Sequence, residues 1–230
     1  MQEDRNDLAF WYPKIKAVVP TPRTHVLRTE IELAGLIDGE TPDGFDVFCQ
    51  QLAFAASRVK YPAFLRTGHT SGKHSWRSTC YLAAEADIPR QVAALVEESY
   101  LVDFFGLPVT TWAVREFLDG PVAFTAFNGL PIRQERRVFV RDGEVVCHHP
   151  YWPRASIERP SDPAWEQKLD SSVNAVSDSD LAIILTGSAA VAAVLPGAWS
   201  VDWMNTTRGW VVIDAAEAER SFHWEGCQGA

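Results

Sequence analysis

The chain has 230 residues and a formal net charge of -9; 47% of its residues are hydrophobic and 22% are charged. This length suffices for one large domain or two small lobes, and the apolar content predicts a packed globular core. The acidic balance argues against a non-specific nucleic-acid binder, which would present a basic surface. We therefore expect no nucleic-acid partner.

The sequence also argues against secretion and membrane insertion. Residues 1–10 are charged and lack the apolar core of a secretory signal. The longest apolar stretch, 181–195, is shorter than the roughly 20 residues of a membrane span, so it predicts a buried helix. The cysteines are widely spaced and form no C-x-x-C pair: Cys49, Cys80, Cys147 and Cys227. We expect a reduced cytoplasmic protein with no membrane partner and no zinc site.

The first half of the chain predicts a mixture of strands and helices. Pro20 and Pro22 favour extended backbone, so an N-terminal strand is expected there. Apolar residues at helical spacing predict helices over 42–58 and 88–105. Between them, residues 63–67 predict a short strand, followed by a polar loop with the sequence GHTSGKHSW.

The second half predicts a β-rich middle, two helices and two closing strands. The expected strands are 111–118, 122–128, 132–141, 144–149, 199–204 and 210–215. Asp142-Gly143 is a strong hairpin signal, because this pair suits the turn that matches strand twist. Helices are expected over 161–176 and 177–195, with serine N-caps. This block order predicts an α+β fold with mostly antiparallel sheets.

Four segments hold the candidate functional residues, and no familiar short catalytic motif is present. The first runs from Arg66 through a small-residue loop to Lys73. Such a loop can fold over phosphates while the lysine supplies positive charge. The alternative is a surface loop with a solvated lysine. The second segment, 114–118, carries Glu116 on an apolar strand, where a glutamate often only faces solvent.

The third segment is a charged strand. Strand alternation places Arg133, Glu135, Arg137 and Phe139 on one face. Charges beside a buried phenylalanine are costly unless they are paired or bound to a ligand. A functional site and a salt-bridged sheet face therefore both remain open.

The fourth segment joins the two closing strands, which carry Asp202 and Asp214. Two carboxylates on adjacent strands suit a hard cation such as Mg²⁺. Glu217 lies just beyond and is a further candidate ligand. The alternative is an aspartate that only begins a turn. His148 and His149 are adjacent on a strand, so their side chains should face opposite ways and not chelate one ion.

Taken in order, these segments resemble an ATP-grasp enzyme. The sequence VVPTPRT is similar to the family's IPxPxT opening, PAFLRTG to its phosphate-binding strand and VREFL to its hinge. ERRVFVRDGEVV resembles a hairpin of the translation-initiation-factor assembly factors that have an ATP-grasp core. The last two strands resemble the closing D…G-x-x-V-V-E-x-N pattern. The likeness spans roughly residues 18–227 and is greatest to the small phage and bacterial clade named for two arginines and a lysine.

The resemblance implies a set of roles. Arg66 and Lys73 would contact phosphates, and Glu116 with the Leu118 backbone would meet adenine. Glu135 would bind the ribose or hold the site together. Arg137, together with Lys73, would stabilise charge on the transferred phosphoryl group. Asp202, Asp214 and Glu217 would bind magnesium.

The resemblance also implies an architecture and an activity. Two lobes with mostly antiparallel sheets would enclose a nucleotide cleft, divided as an arm and helix (1–60), a small lobe (61–118) and a C-terminal lobe (119–230). The implied reaction is ATP- and Mg²⁺-dependent ligation of a carboxylate to an amine, on a substrate such as a peptide or protein, in the host cytoplasm if the gene is a phage's. The alternatives are an ATP-binding assembly factor and a degenerate interaction domain. Ala216 stands where the family commonly has asparagine, Asp214 where glutamate is usual, and Phe222 where glycine follows the terminal serine.

Overall fold

The computed structural model describes residues 4–102, 106–225 and 227–229. The chain divides into two compact units, one of residues 7–9 and 23–117 and the other of residues 4–6, 10–22 and 118 onward. We call them the first unit and the second unit. The arm and helix expected over 1–60 are thus shared between the two units, and the division in mid-chain falls between Phe117 and Leu118.

Helices and strands alternate in blocks along the described chain. The α-helices are α1 (Leu8–Ile15), α2 (Phe45–Val59), α3 (Trp76–Thr79), α4 (Ile88–Leu101), α5 (Trp165–Lys168) and α6 (Asp178–Val194). The strands are β1 (Thr24–Arg28), β2 (Ala63–Thr67), β3 (Tyr81–Leu82), β4 (Thr111–Glu116), β5 (Phe124–Ala126), β6 (Leu130–Ile132), β7 (Glu135–Arg141), β8 (Glu144–Pro150), β9 (Ala198–Thr206), β10 (Gly209–Glu217) and β11 (Gln228–Gly229).

The first unit is built on a four-stranded antiparallel sheet with strand order β1-β4-β2-β3. Ala63 and Leu65 point to the side covered by α2 and α4, where they join one apolar core. Phe64 and Arg66 alternate with them and therefore lie on the other face. One face of this sheet is thus buried by helices, and the other carries both aromatic and charged side chains, including Phe64 and Arg66.

The second unit is built on a five-stranded antiparallel sheet with strand order β10-β9-β7-β8-β11. Helix α6 covers one face, where Trp203 donates a hydrogen bond from Nε1 to the Ser188 hydroxyl at 2.9 Å. Gly187 is required there, because an added Cβ would stand 2.4 Å from the Trp203 ring. The opposite face carries the charged residues described below.

The α+β fold and its antiparallel sheets agree with the expectation from sequence, but several elements differ. Helix α1 lies in a stretch for which no helix was expected, although it contains Pro13. The strand expected over 122–128 is the short hairpin β5–β6, and the helix expected over 161–176 is α5 followed by one π-helical turn. The predicted end of the second helix, Phe105, lies outside the described residues.

The hairpin turn is as predicted: Asp142 and Gly143 both adopt positive φ, at 49° and 93°. Within the described chain, no helix on its own has the length and apolar character to cross a membrane; the bent pair 165–173 and 178–194 reaches that limit only when both parts are counted together.

Candidate functional site

A row of four side chains crosses one face of the five-stranded sheet. His149 on β8 lies opposite Arg137 on β7, which lies opposite Asp202 on β9, which lies opposite Asp214 on β10. Residues directly opposite in an antiparallel sheet share a face, so all four project to the same side, away from α6. The register therefore joins the third and fourth candidate segments of the sequence into one site.

Arg137 and Asp202 form a bidentate ion pair at the centre of this row. Arg137 donates from Nε to Oδ1 at 2.7 Å and from Nη2 to Oδ2 at 2.8 Å. The side chains are only 13% and 7% exposed. Arg137 also donates from Nη1 to the Phe222 carbonyl at 3.2 Å and lies over the Tyr151 ring at 4.9 Å. These contacts hold the guanidinium in one orientation.

The two basic side chains of this row, Arg137 and His149, both have shifted pKa values. Burial acts to lower the pKa of Arg137, but Asp202, with smaller help from Tyr151 and Asp214, raises it above the ordinary value. The pKa of His149 is lowered, first by burial and then by charges that include Arg137. The His149 Nδ1 lies 2.6 Å from the Pro150 carbonyl, to which it must donate. Arg137 is thus a permanent cation beside a histidine that favours its neutral form.

An apolar patch and a buried glutamate lie one row further along the same face. Met204 lies opposite both Val211 and Glu135. Met204, Val211 and Leu118 form a small core cluster with Ile213 packed against it. Rows on one face are two residues, roughly 6.7 Å, apart. The apolar patch and Glu135 therefore lie one row from the ion pair of Arg137 and Asp202.

The carboxylates of Asp202 and Asp214 fit the magnesium that the resemblance implies. Both are hard oxygen donors, and Asp214 is partly exposed while Asp202 is buried. Each carboxylate oxygen has more than one lone pair, so the bonds from Arg137 leave acceptor capacity on Asp202. Ala216 lies opposite Ser200 on the same face, one row from Asp214, and supplies no side-chain ligand. On these two strands the candidate donor set is thus two carboxylates.

Glu217 is not brought to these two aspartates. It lies opposite Trp199, three residues beyond Asp214, so strand alternation turns it to the other face. Its carboxylate pairs with Arg5 at 2.6 Å and accepts from Asn6 Nδ2 at 3.1 Å. The structure therefore gives Glu217 a partner in the N-terminal segment instead of a place beside Asp202 and Asp214.

In the first unit, two buried arginines share the face away from the helices. Arg115 lies opposite Phe64, and Arg66 is two residues from Phe64, so both arginines project from the same face. Each is only 4% exposed. Arg66 donates to the Thr67 carbonyl at 3.1 Å and Arg115 to the Thr24 hydroxyl at 3.2 Å. Sequence reasoning missed Arg115; the alternation of β4 was visible, but its register with β2 was not.

Lys73 begins a single 3-10 turn directly after the small-residue loop. Burial raises the pKa of the Cys80 thiol to about 12, while the charges of Lys73 and Arg66 both act to lower it. These two cations thus stand within electrostatic range of one thiol. Gly72 has a φ of 54°, and its carbonyl accepts from Thr79 Oγ1 at 2.6 Å. The loop is therefore held in a defined conformation beside Arg66.

Glu116 and Leu118 both have hydrogen-bond partners within their own units. The Glu116 carboxylate accepts from the Arg23 backbone nitrogen and from Arg23 Nε, each at 2.9 Å. The Leu118 carbonyl accepts from Arg133 Nη1 at 2.8 Å. Burial lowers the pKa of Arg133, with Asp119 and Glu135 acting to raise it. Glu116 is thereby fixed at the end of β4, and Leu118 at the edge of the apolar patch.

The sequence of this chain was compared with models of known protein families and with curated proteins. A family model for an ATP-grasp domain, family 3 of the clade named for two arginines and a lysine, matches residues 53–222. A search of curated proteins gives no match.

Three solved structures share the fold at low sequence identity. Cdc123 from Schizosaccharomyces pombe has a TM-score of 0.60 and 9% identity, covering 96% of this chain and 88% of that one. N5-carboxyaminoimidazole synthase from Aspergillus clavatus, solved with ADP and 5-aminoimidazole ribonucleotide, has a TM-score of 0.54, 13% identity and coverages of 92% and 44%. A RimK domain ATP-grasp protein from Sphaerobacter thermophilus DSM 20745 has a TM-score of 0.50 and 14% identity, covering 93% of this chain and 60% of that one. The chain thus spans less than two thirds of the last two proteins.

Proposed function

We propose that this chain, which belongs to family 3 of the ATP-grasp clade named for two arginines and a lysine, is an ATP- and Mg²⁺-dependent carboxylate–amine ligase. In such a reaction a carboxylate oxygen attacks the γ-phosphorus of ATP and ADP leaves. The amine then attacks the acyl-phosphate carbon, phosphate leaves, and the nitrogen loses a proton. The fold is that of an ATP-grasp domain, and a synthase that shares it was solved with ADP.

One observation carries the proposal: an apolar patch lies one row from the charged row on the second unit's sheet face. Met204, Val211 and Leu118 form a buried apolar cluster, and we assign the flat base of the nucleotide to it. We assign the phosphates of the nucleotide to the next row, where Arg137, Asp202 and Asp214 lie. Phosphoryl transfer requires positioning and positive charge more than covalent chemistry, and this face supplies both.

The residues of each unit take distinct parts in this proposal. Arg137 stabilises negative charge on the transferred phosphoryl group, and Glu135 is assigned to the ribose or to holding the site together. Asp202 and Asp214 are the residues that would hold Mg²⁺, whose chemistry is to neutralise charge on the phosphate oxygens. In the first unit, Arg66 and Lys73 bind phosphate oxygens.

Three further residues complete the assignment. Arg115 joins Arg66 as a buried cation for the phosphates, because it shares the same sheet face. Glu116 and the backbone of Leu118 are assigned to adenine, Glu116 through the carboxylate that Arg23 fixes. Glu217 is left out of the proposed metal site, because strand alternation turns it to the other face of the sheet.

The experiment must detect activation of a carboxylate without knowing the amine. Hydroxylamine serves as a general amine, because it converts an acyl phosphate into a hydroxamate. The protein is incubated with ATP, Mg²⁺, hydroxylamine and, in turn, each amino acid, then a mixture of short peptides. We expect ADP and hydroxamate in equal amounts with at least one acid, and neither product without Mg²⁺.

Matched variants make this test specific. Arg137→Ala and Asp214→Asn should abolish hydroxamate formation. Arg141→Ala and Glu144→Gln, at exposed residues beside the turn of the β7–β8 hairpin, should leave it unchanged. Mg²⁺-dependent thermal stabilisation by ATP without hydroxamate for any acid would contradict the ligase while leaving nucleotide binding intact. Equal activity in Arg137→Ala and the parent would contradict the site.

A second candidate, an ATP-binding assembly factor without ligase activity, has its own support. Cdc123 is similar to this chain over most of both lengths, whereas the N5-carboxyaminoimidazole synthase is much longer. The candidate predicts ATP binding and the capture of a protein partner, with no amine-dependent ADP release. The hydroxamate assay separates the two functions, because only a ligase forms the product.

A further inference from the structure

Three potential metal ligands meet at the edge of the five-stranded sheet, outside the site described above. They are Cys147 on β8 and, from the C-terminal segment (residues 221–225 and 227–229), His223 and Cys227. The two sulfur atoms and one imidazole nitrogen lie within 4.8 Å of one another. Cys147 Sγ is 3.1 Å from His223 Nε2. No part of the proposed ligase chemistry uses these three residues.

The backbone accounts for this convergence. In the pairing of β11 with β8, Gly229 lies opposite Cys147. Residue 227 is two residues earlier than Gly229, so strand alternation places Cys227 on the same face as Cys147. His223 lies against the same face. Its ring packs on Phe139 with ring centroids 4.1 Å apart, and Phe139 is directly opposite Cys147.

We propose that Cys147, His223 and Cys227 bind a single zinc ion. In a tetrahedral zinc site the bond lengths place two sulfurs about 3.8 Å apart and a sulfur and a nitrogen about 3.6 Å apart. The three atoms therefore need only shifts of roughly half an ångström to reach those separations. Two thiolates and one imidazole are the soft and borderline donors that zinc prefers over the oxygen ligands of magnesium or calcium sites.

The three ligands differ in burial, and this difference indicates what occupies the fourth coordination position of the zinc ion. Cys147 is buried, Cys227 is partly exposed and His223 is exposed. A site with one buried and two accessible ligands admits the ion from solvent and leaves water as the fourth ligand. The sequence concealed the site, because Cys147 is 76 residues before His223. The expectation of no zinc site came from the wide spacing of the four cysteines and the lack of a C-x-x-C pair.

The ion would fasten the C-terminal segment next to the charged row. In that segment the Ser221 hydroxyl meets the Ser200 hydroxyl at 2.6 Å and the Phe222 carbonyl accepts from Arg137. Trp224 stacks on His149 with ring centroids 5.3 Å apart. Zinc bound between this segment and β8 would add a further attachment of the segment to the sheet.

Cobalt substitution tests the proposal directly. The full chain is purified under reducing conditions, stripped with a chelator, dialysed and titrated with Co²⁺, whose thiolate complexes absorb in the near ultraviolet. We expect one equivalent of Co²⁺ per chain with a thiolate charge-transfer band, displaced by one equivalent of Zn²⁺. Cys227→Ser and His223→Ala should each weaken binding by more than about 100-fold, since losing a ligand exceeds the loss of a supporting contact.

Cys49→Ser is the matched control, because Cys49 is a free, partly exposed cysteine of the other unit. It should bind Co²⁺ as the parent does. If Cys147→Ser fails to fold, the two variants in the C-terminal segment still decide the outcome. A missing thiolate band, unchanged binding in Cys227→Ser, or a Cys147–Cys227 disulfide in protein kept with reductant until analysis would overturn the proposal. None of these readouts depends on ATP.

Discussion

Both sheets of this protein bury arginines on one face, and the acceptors beside these arginines include different chemical groups. On the five-stranded sheet, Arg137 is clamped by both oxygens of Asp202. On the four-stranded sheet, the contacts of Arg66 and Arg115 include single bonds to a backbone carbonyl and a hydroxyl. Each charge of a buried bidentate ion pair needs its partner, because a buried charge left alone destabilises the fold.

A buried arginine can stabilise the fold or bind a ligand, and we assign these two roles to different arginines. Removing Arg137 leaves the Asp202 carboxylate buried without its partner, so the second unit should lose stability as well as activity. Arg115 is assigned to the nucleotide phosphates, so its loss should lower anion affinity above all. The predictions below test that division, beginning with the largest expected effect.

Arg137→Ala should lower the free energy of unfolding by about 3 kcal/mol, because it leaves Asp202 buried without its ion-pair partner. Urea denaturation followed by tryptophan fluorescence measures this change. Arg141→Ala, on the same strand but exposed, should change stability by less than about 0.5 kcal/mol. If the two variants are equally stable, the pair does not support the fold. Arg137→Ala combined with Asp202→Ala should recover part of the loss.

Arg115→Gln should weaken ATP binding about 10- to 100-fold, the range for losing a hydrogen bond to a charged group. Isothermal titration with ATP and Mg²⁺ provides the affinity. Arg58→Gln, at an exposed position near the end of α2, is the control and should bind as the parent does. An unchanged affinity in Arg115→Gln would show that the face of the four-stranded sheet does not meet the nucleotide.

Ala216→Asn should strengthen the Mg²⁺ dependence of ATP binding by about fivefold, since one added neutral oxygen ligand is worth roughly 1 kcal/mol. The position shares a face with Asp214 and Asp202. The measurement is ATP affinity across a series of Mg²⁺ concentrations. Ala216→Leu, similar in size but without the amide, should give no gain. A gain in both variants would attribute the effect to packing.

Asp46→Asn should roughly double the rate at which Cys49 is alkylated, because like charges one helical turn apart are worth a few tenths of a kcal/mol. Burial, and to a smaller extent Asp46, raises the pKa of Cys49 to about 11. Below that pKa the rate should rise about tenfold per pH unit as thiolate forms. Mass spectrometry of the peptide after timed iodoacetamide treatment gives the rate. A rate that is flat from pH ~7 to ~9 would contradict the raised pKa.

Local signals made much of the architecture predictable. Strand β2 has the bounds that its apolar run indicated, and the Asp142-Gly143 turn adopts the positive φ values that the pair favours. Elements without such a signal were missed. Helix α1 forms although Pro13 lies within it, and its Trp11 and Ile15 are buried. Tertiary burial of an apolar face outweighs a weak local preference.

The sequence by itself determined the family, the alternation of charged strands and the candidate residues Arg66, Arg137, Asp202 and Asp214. Tertiary structure decided which of them meet. Only the register of β7, β9 and β10 places Arg137 beside Asp202 and Asp214 and turns Glu217 to the other face. Only the return of the C-terminal segment brings His223 and Cys227 to Cys147. Register and chain return depend on contacts between distant residues, which local patterns do not encode.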